Sequence, residues 1–130
     1  RGDAAVQLIP KIESAAADYP QADLYRVWPG PNSNSFIAWV IREVPGFEVM
    51  LPVTAIGKDY IFNGILAPTP SGTGYQLSLG GVVGIMLALE EGIEINVLGL
   101  SFGIDVMRPA LKLPGIGRLG MPARVAGGEL

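Results

Sequence analysis

The chain has 130 residues, 49% of them apolar and 16% charged, with a net charge of −3 at pH 7. That length suits one compact domain, and the acidic balance supplies no basic field for nucleic acid. Cysteine and histidine are both absent, which excludes disulfides, thiolate zinc sites, a cysteine nucleophile and any imidazole base or ligand from within these residues.

The sequence begins Arg1-Gly2-Asp3, without methionine or a signal-peptide pattern, and reads as part of a longer or processed polypeptide. The Arg-Gly-Asp tripeptide is taken as a chance match. Residues 3–18 are expected to be helical, with Asp3 as cap and Val6, Ile9, Ile12 and Ala16 on one face. Pro10 either kinks this helix or starts its main part, and Tyr19-Pro20 ends it. "DLYRVW", residues 23–28, has the aromatic and β-branched content of a short strand. "SFIAWVIREV", residues 35–44, predicts a helix with the stripe Phe36, Ile37, Val40, Ile41 and Val44, leaving Trp39, Arg42 and Glu43 on the other side. Pro45-Gly46 stops it.

Residues 45–74 read as loops. Four β-like runs follow: "YQLSLG", "VVGIMLAL", "IEINVLGL" and "IDVMRPALKL". Glu90-Glu91-Gly92 is expected as a hairpin and Ser101-Phe102-Gly103 as a second turn or bulge. Both faces of several strands look apolar, so both sides of the sheet should be covered. "LGGVVGIMLAL", residues 79–89, is too short and glycine-broken to span a bilayer and reads first as a buried strand, with contact to a membrane surface or a hydrophobic partner as the other reading. The end, "LPGIGRLGMPARVAGGEL", residues 113–130, is expected to be extended or frayed, with residues 121–130 as a tail beyond the domain. Between Asp105 and Glu129, Arg108, Lys112, Arg118 and Arg124 are read as solvated positions, with anionic lipid as the other possible contact. The expectation is one α+β domain over residues 1–120, a mainly antiparallel β-sheet packed by two helices.

Candidate chemistry centres on "WPGPNSNSF", residues 28–36. Asn32, Ser33, Asn34 and Ser35 are all good N-cap residues, and a helix start needs one. The surplus points to a site, because a helix N-terminus also stabilises negative charge. A serine there could act as nucleophile given a base. Lys58, Asp59 and Tyr60 form a second cluster, read first as a surface turn with a local ion pair. Lys58 or Tyr60 would serve as a base only if burial lowered its pKa. Trp28 and Ser35 join Lys58, Asp59 and Tyr60 as candidate binding residues. Glu90, Glu91 and Glu94 lack calcium-loop spacing and read as a solvated hairpin end. Asp105 and Arg108 read as a structural ion pair. Nothing points to a metal or cofactor.

"YRVWPGPNSNSF", "LPVTAIGKDY", "PSGTGYQLSLGGVVGI" and "EEGIEINVLGLSFGIDVMRPALKLPGIGRLG" together resemble bacterial family 3750 of the domains of unknown function, from about residue 9 to residue 120. The resemblance brings no established activity. It implies an upstream apolar anchor and an upstream histidine-containing segment, and with them a membrane-anchored location in the bacterial cell envelope. A weaker resemblance links "PNSNSF" to the circularly permuted papain-like families, with Ser33 where those carry cysteine; it implies a permuted papain-like fold.

Two functional readings stand. The favoured one is a non-catalytic, envelope-associated binding or structural domain with a membrane surface or membrane protein as partner. The other is a serine-type hydrolase or acyltransferase fragment. Ser33 would be its nucleophile, Asn32 or Asn34 would orient or stabilise the oxyanion, and the histidine would lie upstream.

Overall fold

The computed structural model describes residues 2–123. Arg1, Arg124 and most of the expected tail therefore lie outside the described residues. Two helices come first, α1 (Asp3–Ala17) and α2 (Ser33–Glu43). Seven strands follow: β1 (Leu66–Pro68), β2 (Gly74–Leu79), β3 (Val83–Ala88), β4 (Gly92–Val97), β5 (Leu100–Asp105), β6 (Ala110–Leu113) and β7 (Gly117–Gly120). They form one sheet in sequence order, every neighbouring pair antiparallel. The fold is the expected α+β type, dominated by its sheet. This meander by itself does not establish a permuted papain-like arrangement.

The helices pack on each other. Ala15, Val40 and Val44 form the buried centre, with Leu8, Ile12, Phe36, Trp39 and Phe47 against it. Trp39 faces this core, contrary to its expected place, and donates its indole N–H to the Ala15 carbonyl at 3.1 Å. Ile37 is exposed instead, as are Val6 and Ile9. In α1 the inward face is Leu8, Ile12 and Ala15, one step round from the expected stripe. Gly2 rather than Asp3 is the N-cap, with Asp3 supplying first-turn negative charge. Helix α1 continues through Pro10. Residues 23–28 form no strand. They join a loop in which Trp28 reaches the sheet, donating its indole N–H to the Leu98 carbonyl at 2.7 Å.

The sheet explains where the turns fall. Leu98 and Gly99 both have positive φ (53° and 78°) and connect β4 to β5 as a two-residue turn. The expected turn at Ser101-Phe102-Gly103 is therefore mid-strand in β5. The run "IDVMRPALKL" is broken by residues 106–109, and residues 117–120, in the end of the chain expected to be extended or frayed, form β7.

Alternation gives the sheet two unlike faces. Gln76, Ser78, Met86, Glu94, Asn96, Ser101, Asp105 and Lys112 point to one side and are buried. Leu77, Ile85, Ile95 and Phe102 point to the other and are 40–50% exposed. The sheet is not apolar on both faces: its covered face is polar and its open face apolar, so the Val83–Ala88 strand is not the buried apolar strand expected. The physical cause is period-2 register, which places Ile93, Ile95 and Val97 opposite in direction to Glu94 and Asn96.

Close strand packing depends on small residues on the covered side. A Cβ at Gly74 would strike the Leu87 carbonyl and the Ala88 backbone across the β2–β3 ladder. Gly74→Ala should therefore destabilise the chain by about 2–3 kcal/mol in urea unfolding. A loss near zero would show that this ladder is not formed as described.

Candidate functional site

The residues before and in the first turn of α2 are occupied with structure. Asn32 is the N-cap. Its Oδ1 accepts from the Asn34 and Ser35 backbone N–H groups at 2.9 and 3.1 Å, and its Nδ2 donates to the Val27 and Ile56 carbonyls. Asn34 Nδ2 donates to the same Ile56 carbonyl at 2.8 Å. Ser35 is fully buried, and its Oγ donates to the Gly57 carbonyl at 2.7 Å. Gly57, at φ 97°, leaves the space that Asn32 fills; a Cβ there would lie 2.5 Å from the Asn32 amide. The surplus of small polar residues therefore does more than cap the helix, since it also grips the turn Ile56–Gly57. Ser33, at the first helical position, is exposed, and its side chain makes no hydrogen bond among the described residues.

That grip feeds Lys58 and Asp59 onto the covered face of the sheet. Lys58 is 1% exposed, so the expected surface turn is instead a buried insertion. Its Nζ lies 2.8 Å from Asp59 Oδ1 and 2.8 Å from Glu94 Oε2. Glu94 Oε1 takes Lys112 at 2.7 Å, and Lys112 also donates to the Glu91 carbonyl oxygen. Asp59 Oδ2 accepts from Asn96 at 2.8 Å and from Ser101 at 3.1 Å. The Glu91 carboxylate accepts from the Ser71 N–H and hydroxyl. Arg42 of α2 donates to the Lys58 and Pro68 carbonyls, tying helix, loop and sheet edge together. Charges balance within this layer, Lys58, Lys112 and Arg42 against Asp59, Glu91 and Glu94.

The electrostatics follow from this pairing. Burial alone would lower the Lys58 ammonium, but the Asp59 and Glu94 carboxylates outweigh it and hold the group above its ordinary value. Burial would raise the Asp59 carboxyl, yet Lys58 and the bonds from Asn96 and Ser101 bring it below the ordinary carboxylate value. Burial pushes Arg42 down to about 10, still a cation at neutral pH. A protonated, doubly paired Lys58 has no lone pair for base or nucleophilic work. The lowered pKa that a Lys58 base requires is therefore not met. Tyr60 packs its ring on Phe62 at 5.0 Å, beside Tyr19 and Trp39.

Other assignments change with the fold. Glu91 and Glu94 are buried at 2% exposure and anchor the layer rather than a solvated hairpin end. Asp105 pairs with Arg118 at 2.8 Å, while Arg108 contributes its backbone N–H to Asp105. Lys112 and Arg118 are thus engaged internally and not free for lipid. Arg42, Gln76, Glu91, Glu94, Asn96, Ser101 and Lys112 were the residues that sequence reasoning missed. The polar members of "IEINV" and "ALKL" at every second position were the available signal. Among the described residues no group of acidic side chains has the makings of a metal site.

Residues 1–60 match the model of a family described as a protein of unknown function (DUF3750). Over this stretch, just under half of the chain, the sequence is similar to that family. The matched segment holds both helices, "WPGPNSNSF" and the Lys58–Asp59 insertion, and leaves out the sheet on which that insertion rests. No curated protein and no solved structure matches the chain.

Two measurements check this assignment. Asn32→Ala removes a cap and two carbonyl contacts, and should cost about 2–3 kcal/mol in chemical unfolding, whereas Ser33→Ala should stay within about 0.5 kcal/mol of wild type. Equal effects would remove the distinction drawn between them. The second is acid sensitivity. A depressed Asp59 stabilises the fold fully above its ordinary value of 3.8, and that stability is lost as pH falls through the lower folded value. The urea midpoint should fall in that acid window, and less steeply in Asp59→Asn. Parallel curves for the two proteins would contradict the role given to Asp59.

Proposed function

We propose that this chain is a non-catalytic, envelope-associated binding or structural domain that acts by docking the outer face of its sheet on an apolar surface. One observation carries the reading. Tyr75, Leu77, Leu79, Val83, Ile85, Leu87, and the outward residues of β4 and β5, stand exposed on one continuous face without a charged side chain among them. An apolar face of that extent is characteristic of an interaction surface. The polar groups that a catalytic site would need are spent instead on the covered side. The family resemblance implies the bacterial envelope and a membrane surface or membrane protein as partner, and a net charge of −3 gives no pull toward nucleic acid. The serine-hydrolase alternative gains nothing from the surroundings of Ser33, whose hydroxyl meets no base among the described residues.

The test compares the full chain with Ile93→Glu, which charges the outer face. Wild type should be self-associated or should float with phosphatidylethanolamine–phosphatidylglycerol vesicles. Ile93→Glu should be a lipid-free monomer with unchanged circular dichroism and stability within about 1 kcal/mol. A wild-type chain that is already monomeric and lipid-free sinks the reading.

A further inference from the structure

We propose that the occupant of the outer face is a second copy of this chain, packed face to face about a two-fold axis along β4. The inference rests on the reading of that face as a docking surface and names its partner.

The register makes the face self-complementary. Its side chains fall in cross-strand rows: Leu79, Val83, Val97 and Leu100; then Leu66, Leu77, Ile85, Ile95 and Phe102; then Tyr75, Leu87, Ile93, Ile104, Leu111 and Leu119. Strand β4 is the middle of the seven. A two-fold axis parallel to it keeps each row at its own height and lays β5 of one copy over β3 of the other. Leu100 then meets Val83, Phe102 meets Ile85, and Ile104 meets Leu87, each contact made twice, as an isologous interface requires. Ile95 sits on the axis and meets itself.

The shapes agree with this pairing. An apolar cleft of about 360 Å³ opens on the outer face between Ile65, Leu77, Leu79, Val83 and Ile85. In the same row, two strands away, stands the largest outward side chain of β5, Phe102. The axis brings that ring over the cleft of the second copy and its counterpart over the first. About fifteen apolar side chains, each roughly half exposed, leave on the order of 1,000 Å² on this face, against about 800 Å² per partner in a standard interface. Two antiparallel sheets meeting on their apolar sides make a sandwich, with the sheets about 10 Å apart. No ion is buried in forming it, so two acidic chains meet without a desolvated charge.

A bilayer fits this face less well. The chain is acidic, with a pI near 4.8, and anionic headgroups attract basic segments. Among the described residues the sheet also has two edge strands, β1 and β7, whose outward backbone groups would find no partners in hydrocarbon.

The absence of cysteine makes cross-linking clean. Single variants Ile95→Cys and Tyr25→Cys of the full chain are treated with a short bis-maleimide, because the sheet separation exceeds disulfide reach. Light scattering gives the mass of wild type and of Phe102→Glu, and vesicle flotation is run in parallel. The expected result is a wild-type dimer, cross-linking of Ile95→Cys on the order of tenfold faster than of Tyr25→Cys, and a folded Phe102→Glu monomer. Should Phe102→Glu fail to fold, the cross-linking ratio still decides. Equal rates, or a dimer unaffected by Phe102→Glu, overturn the axis. A monomer that floats with the vesicles overturns the dimer and leaves the docking face standing. A monomer that binds no vesicle overturns both.

Discussion

The structure depends on one buried contact, Lys58 between Asp59 and Glu94. These three side chains lie where the loop after α2 meets the centre of the sheet, and all are nearly inaccessible. Removing an ion from water is expensive, so a lysine at this depth persists only with its partners in place. The rest of the molecule supplies that condition. The first turn of α2 holds Ile56 and Gly57 by three side chains, which sets where Lys58 enters. The sheet offers Glu94 from β4, with Asn96 and Ser101 to complete Asp59. Helix and sheet make few direct contacts, so this loop carries the coupling between them, with Arg42 as a second tie.

This arrangement inverts the usual two-faced antiparallel sheet, in which the covered side is apolar and the open side polar. Here the covered side is a charge-balanced layer, and the hydrophobic effect is left unspent on the other side. Such a sheet pairs the charges of its covered side internally and leaves its apolar surface unburied. That is why its outer face carries the functional argument. It is also why the polar cluster does not: paired carboxylates and a protonated lysine hold a loop well and do little chemistry. Among the described residues, Gln76 and Arg118 Nη1 are the exceptions on this side. Both amide atoms of Gln76 lie buried without a partner, facing a crevice beside Asp59, Glu94 and Ser101 that has no room for a water molecule's centre.

Much of the local structure was legible beforehand. Helical spacing located α2 to within two residues at its start, and Pro45-Gly46 ended it. The turn-rich segment and the antiparallel strands after it also followed from periodicity and glycine placement. Errors arose where two periods compete. "IEINVLGL" looks apolar when counted and amphipathic when its alternation is followed, and counting led to a sheet apolar on both faces. Residues 23–28 have strand composition but no neighbouring strand to pair with, and composition cannot supply one.

What the sequence determined by itself was local: where helices start and stop, which segments alternate, and that no imidazole or thiol chemistry can arise within these residues. It also contained the surplus of caps at 32–35, though not its purpose. Tertiary structure alone decided that purpose, because Ile56 and Gly57 are more than twenty residues away and the grip is a contact in space. It likewise decided that Lys58 is buried and that Glu94 rather than a neighbour in sequence completes it. A charge's cost and its partners are set by what surrounds it in three dimensions, and linear order holds no measure of either.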